Sequence, residues 1–152
     1  MSAFGINIRL SAGSSEALGR LSNYSSILEP ELLHAMDQSI RLLKEEAASF
    51  ADSEFQNSTG RFTGSLQISV DNPYQAQLWS EEPYAQRLEY GFSGMTDSLG
   101  RFYHLWPGGY RNQYWNGYRW ATRTAETNRA LIGKVFRVAI DLANLQLGSG
   151  TP

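Results

Sequence analysis

The sequence predicts an α+β fold, a small and mainly antiparallel sheet packed against a long helix and a C-terminal helix, with a long aromatic-rich loop. Three observations carry that prediction. Apolar and polar residues alternate over positions 4–10 and again over 66–79, the period of strands buried on one face. Apolar residues instead recur every three or four positions over 30–50 and 121–145, the period of helices with one buried side. Positions 91–120 fit neither pattern: they hold nine aromatic residues and abundant glycine.

In chain order, Phe4, Ile6, Ile8 and Leu10 alternate with Gly5, Asn7 and Arg9, which specifies the first strand. Ser14 or Ser15 then supplies a cap for a short helix carrying Ala17, Leu18, Leu21 and Tyr24, weakened by Gly19. The long helix is expected to open at Pro30, because a proline in the first turn loses no hydrogen bond. Its apolar stripe is Leu33, Met36, Ile40, Leu43, Ala47 and Phe50, with Asp37 and Arg41 placed as an i,i+4 ion pair. His34 falls at the edge of that stripe, as a partly buried structural histidine. The helix should fray over 52–57.

Leu66, Ile68 and Val70 then form one strand and Tyr74, Ala76 and Leu78 the next, turned at Asn72 and Pro73. In this hairpin Trp79 shares the polar face with Gln75 and Gln77. Glu82 and Pro83 begin a helical turn or two with Tyr84, Ala85 and Leu88 inward, stopped by Gly91. Phe102, His104 and Trp106 suggest a further strand, broken at Pro107. The last helix carries Ala121, Ala125, Asn128, Ile132, Val135, Ala139 and Leu142 on one side, widened by Phe136 and Ala143. No repeat is visible.

At 152 residues and 17.0 kDa the chain is expected to form one domain over 1–147, with 91–120 as an extended loop and 148–152 as a flexible tail. A domain of this size hides about 70% of the surface its unfolded chain exposes, enough for a core without staples. The chain has no cysteine and only two histidines, which excludes disulfides, thiolate sites and histidine-rich metal centres. We expect a soluble protein with no signal peptide and no membrane contact. Net charge is −2, so the whole molecule offers no electrostatic case for tight nucleic-acid binding.

The charge is uneven, however: six acids face two bases over 30–54, whereas three arginines face Asp97 alone over 91–120.

Three groups of residues invite a functional reading. The segment 59–65 has glycines and hydroxyls, but lacks the Gly-Lys-Ser/Thr ending of a phosphate-binding loop, so folding explains it better. Glu81, Glu82 and Glu89 are the clustered carboxylates. Adjacent Glu81 and Glu82 point apart, which suits a glycosidase poorly, and Glu89 is best explained as a cap or as an ion pair with Arg61 or Arg87. The third group is the strongest: Trp106, Tyr110, Arg111, Tyr114, Trp115, Tyr118, Arg119 and Trp120, joined by Trp79. Rigid aromatics and arginines are the side chains enriched at the energetic centres of protein interfaces. The same mixture also stacks sugars or bases, and some of these residues would simply fold back over the sheet.

Thr59-Gly60-Arg61-Phe62 followed by Ser65-Leu66, then Tyr84-Ala85 and Leu88-Glu89-Tyr90-Gly91, resembles the HK97 gp10-like family of tailed-phage proteins. Phe62, Leu66 and Tyr90 depart conservatively from the residues common there. The loop after Gly91 is long, and the family's proline-containing approach to the last helix is reduced here to Arg119-Trp120 before Ala121. The resemblance implies a virion structural protein of the neck or tail end, a tail-completion or head-tail joining component. Such a protein would work as a ring of its own copies around the DNA channel, touching other neck and tail proteins, without catalytic residues or cofactor. Its expected location is the virion, and the host cytoplasm during assembly. A ligand-binding module for glycan or single-stranded nucleic acid, using the aromatic loop, is the alternative.

Overall fold

A computed structural model of the chain describes residues 4–9, 25–55, 59–93, 96–97, 114–115 and 117–148. The short helix expected over 14–24 and the strand expected around Phe102–Trp106 lie outside the described residues. Strand β1 (Phe4–Arg9) is followed by the long helix α1 (Ser25–Glu54), a single turn α2 (Arg61–Gly64), the hairpin β2 (Leu66–Asn72) and β3 (Gln75–Ser80), and the short helix α3 (Ala85–Tyr90). Two-residue strands β4 (Phe92–Ser93), β5 (Thr96–Asp97) and β6 (Tyr114–Trp115) precede the terminal helix α4 (Trp120–Gly148).

The main sheet has the order β1-β3-β2 and is antiparallel throughout, so the predicted α+β architecture is the observed one. Ala76, Leu78 and Ser80 of β3 point into the core, opposite Ile8, Ile6 and Phe4 on one side and Val70, Ile68 and Leu66 on the other. Register is fixed by the turn. The Asn72 side chain accepts a hydrogen bond from the Tyr74 N–H at 2.8 Å, and a bulge between Val70 and Asn72 absorbs the extra residue. Gly5 faces Trp79 across the β1–β3 ladder, and a Cβ there would overlap the Leu78 backbone. Only glycine permits that approach.

Helix α1 lies across β2 and β3, and α4 lies along α1 and reaches β1. The Gln146 amide donates to Glu31 at 2.9 Å while Arg123 sits over the Phe50 ring at 5.0 Å, so the two helices run antiparallel. The core is built by Leu28, Leu32, Met36, Ile40 and Leu43 of α1 against Leu66 and Leu78, closed by Phe136, Ala139 and Ala143 of α4.

The structure corrects several sequence expectations. Helix α1 starts at Ser25, so Pro30 lies inside it rather than in its first turn. The earlier start is held by Leu28, which is completely buried. Met36, Ile40, Leu43 and Ala47 are buried as expected, but the stripe widens on one side to take in Leu32, Ala35 and Ser39 and leaves Leu33, at its other edge, exposed at 43%. His34 is exposed as well, and is not a buried structural histidine. In α4 Asn128 is inward as expected, but Trp120 and Thr124 are inward as well, while Leu142 is exposed. The Asp37–Arg41 pair forms as expected, at 2.8 Å, and the hydrogen bond from Arg41 holds the Asp37 carboxyl below its ordinary range.

Gly5→Ala is expected to destabilise the protein by about 1–3 kcal/mol, the usual range for forcing atoms into a filled site. Equilibrium urea denaturation checks this; an unchanged midpoint would show that β1 is not locked to β3 at that register.

Candidate functional site

Helix α4 begins without a capping residue of its own. The preceding position is Arg119, a side chain with no acceptor, and its φ of 56° puts it in the left-handed region. The first-turn N–H groups are satisfied from α3 instead. The Glu89 carboxylate, buried at 2% exposure, accepts from the Ala121 N–H at 2.7 Å and the Thr122 N–H at 3.2 Å, and the Thr122 hydroxyl donates to it as well. A carboxylate at the positive end of a helix is favoured by the macrodipole as well as by the hydrogen bonds. Glu89 is therefore a cap, one of the two roles expected for it. The ion-pair role falls to Glu82, which meets Arg61 at 3.3 Å.

The same place closes the aromatic loop. The Tyr118 N–H donates to the Leu88 carbonyl at 2.7 Å, and the Arg119 N–H is shared between the Leu88 and Glu89 carbonyls at 3.2 Å each. Gly117 has φ 73° and sits so close that a Cβ would overlap the Glu89 carbonyl and the Gly91 nitrogen. Just beyond, Phe92 pairs with Trp115 and Ser93 with Tyr114 in the antiparallel β4–β6 ladder. The outgoing strand β4 and the returning strand β6 thus form a neck, with β5 paired to β4 on its other side.

Trp120 corrects the expectation that it belongs to an exposed contact surface. Its side chain is fully buried, its indole N–H donates to the Ala85 carbonyl at 3.0 Å, and its ring meets Phe62 edge-on at 5.0 Å and Phe4 at 6.1 Å. The hydroxyl-free aromatic neighbours and one backbone acceptor satisfy an indole completely, which makes it a core residue. Phe62 continues through Phe55 at 5.1 Å to the half-buried Tyr118 ring at 4.6 Å. Tyr84 borders this region, and burial raises its phenol above its ordinary range, so it stays neutral.

The remaining expected site residues are distributed as follows. Arg119 is exposed at the neck. Tyr114 and Trp115 form β6, while Trp106, Tyr110 and Arg111 lie outside the described residues. Trp79 is half-buried on the sheet face away from α1, between Gly5 and Gln67 and far along the strand from the Asp71 carboxylate that gathers Ser69, Gln75 and Gln77. It is thus separate from the neck in the sequence of elements. The neck residues Gly117, Phe55 and Phe62 were not singled out as functional from spacing. The missing cap residue before Ala121 was the available signal for Glu89's partner.

Among the described residues no three histidine, aspartate or glutamate side chains converge as a metal ion would require, and no helix is long and apolar enough to cross a membrane. No family model matches the chain, and no curated protein and no solved structure is detectably similar to it.

Glu89→Ala is expected to cost about 2–3 kcal/mol, since it strips a helix start of its cap and leaves buried N–H groups unpaired. Glu89→Gln, which keeps an acceptor oxygen, should cost about half as much. Thermal and urea unfolding of both variants measure this; equal stability of all three proteins would remove Glu89 from its capping role.

Proposed function

We propose that the chain is a structural virion protein of the phage neck or tail end, which assembles as a homomeric ring and joins or completes the tail at the head–tail junction. One observation carries the reading. The two segments that resemble the tailed-phage family, 59–66 and 84–91, meet at the return point of the aromatic loop, through Phe62 and Ala85 on Trp120 and through Glu89 on the start of α4. What the family resemblance marks is therefore the base from which the loop leaves and to which it returns.

A loop held at both ends by backbone pairing loses less conformational freedom on docking than one tethered loosely, and that favours its use as a contact element. In this reading Trp106, Tyr110, Arg111, Tyr114, Trp115, Tyr118 and Arg119 meet neighbouring copies or other neck and tail proteins, with Trp79 contributing from the open sheet face. Trp120 supports them from below. The chemistry needed is burial and hydrogen bonding alone, with no reaction and no cofactor, and any contact with channel DNA is non-specific. The protein would reside in the virion and pass through the host cytoplasm during assembly.

The test is imaging of particles and of the purified protein, combined with a Tyr114→Ala/Trp115→Ala variant. The expected result is a ring at the head–tail junction for the natural chain, and a variant that melts within a few degrees of it yet fails to enter particles. A persistent monomer absent from particles overturns the proposal. Saturable binding of an oligosaccharide or of single-stranded DNA by that monomer, abolished by Trp115→Ala, would establish the ligand-binding module in its place.

A further inference from the structure

The outer flank of α4 carries a second apolar pattern, most of which the core does not use. Leu131, Val135, Val138, Leu142 and Leu145 follow one another at intervals of four, three, four and three. That is the heptad spacing of a helix seam, and on an α-helix it confines the five side chains to an arc of about 80° over about 21 Å. Four of the five are between 44% and 69% exposed, and Val135 is partly buried. The side of α4 that closes the core is a different one, formed by Phe136, Ala139 and Ala143. Single exposed leucines are ordinary on protein surfaces, but four exposed apolar residues in heptad register on one helix, beside the partly buried Val135, are a stripe made to be covered.

The charges beside the stripe identify the occupant. Lys134 directly precedes Val135, and Asp141 directly precedes Leu142, so both flank the seam on the same side, one heptad apart. Both are exposed, and neither is ion-paired to another described residue. Set two copies of α4 antiparallel about a twofold axis level with positions 136 and 137. Val135 then meets Val138 of the second copy, and Leu131 meets its Leu142. On the flank, Lys134 falls opposite Asp141 of the second copy, and the symmetry repeats the pair. A parallel arrangement would instead set Lys134 against Ala139 and Asp141 against Gln146, with no charge satisfied.

We propose that two copies of this chain dock through the Leu131–Leu145 stripe of α4, antiparallel, with reciprocal Lys134–Asp141 ion pairs. A twofold contact of this kind is self-complementary and closes on itself, giving a dimer. It does not rest on the ring reading, because a ring needs a second, head-to-tail surface.

The test uses the full chain in sedimentation velocity, with circular dichroism and melting as controls for folding. The natural protein is expected to be a dimer. Val138→Glu should weaken it at least ~100-fold with an unchanged helix spectrum, because it buries a carboxylate twice at the centre of the contact. Lys134→Asp and Asp141→Lys should each weaken it about tenfold, and the two together should restore it, since only the antiparallel arrangement exchanges the partners. Because the chain has no cysteine, a one-to-one mixture of Val135→Cys and Val138→Cys proteins should form the mixed disulfide in preference to either self-disulfide. A natural protein that sediments as a monomer at its solubility limit overturns the proposal. So does an oligomer whose mass Val138→Glu leaves unchanged, or a double charge exchange that fails to restore pairing; none of these outcomes bears on whether the loop enters a particle.

Discussion

The organisation of the molecule depends on a buried carboxylate. Glu89 belongs to a helix of six residues that could not persist in water alone, and α4 is preceded by an arginine that cannot cap it. Each defect is made good by the other: the carboxylate finds its donors in the N–H groups of Ala121 and Thr122, and those groups find an acceptor that no neighbour in sequence provides. A carboxyl group placed this deep is tolerated because its oxygens are taken up by three donors at the positive end of a helix dipole. The position of α4 along α1, and with it the closure of the core, follows from where that carboxylate is held.

Around this polar contact the aromatic rings form a continuous wall. Phe4 of β1 and Phe62 of the single turn α2 meet on Trp120, and Phe55, just past the end of α1, joins the wall through Phe62 and Tyr118. Edge-on pairs of this kind fix orientation as well as burying area. Strand β1, the turn α2 and helix α3 are therefore all referenced to one indole, whose N–H is fixed by the Ala85 carbonyl. The neck lies at one end of the helix pair, and the exposed leucines of α4 lie toward the other.

Much of this architecture was legible from spacing because the hairpin and both long helices bury one face each, and burial leaves a period in the sequence. Ile6, Leu66, Ala76, Leu78, Met36, Ile40 and Ala139 all lie where alternation or helical periodicity puts them. Periodicity gives a face but not its exact edges, and Leu33, His34 and Leu142 show the consequence: residues at the margin of a correctly read stripe are left outward when the packing centre lies a little to one side. Trp120 was misplaced for a different reason. It ends a run rich in aromatics and begins a helix, and nothing local distinguishes a tryptophan that covers a surface from one boxed by Phe4 and Phe62. The cap was half legible. A carboxylate with no convincing catalytic partner suggested a structural role, but its donors lie more than thirty positions later, beyond the reach of any local rule.

The clasp made by Gly117 against Glu89 and Gly91 separates two kinds of change that a protein can accumulate. Because the chain leaves and re-enters the body at adjacent backbone atoms, whatever lies between β5 and β6 closes a circuit whose ends are already joined. Doubling the length of such an insert costs only about 0.6 kcal/mol of closure entropy. The body therefore has little stake in the length of the segment that joins β5 to β6. A segment of another length can replace it there while the sheet, the capped helix and the wall of rings stay as they are.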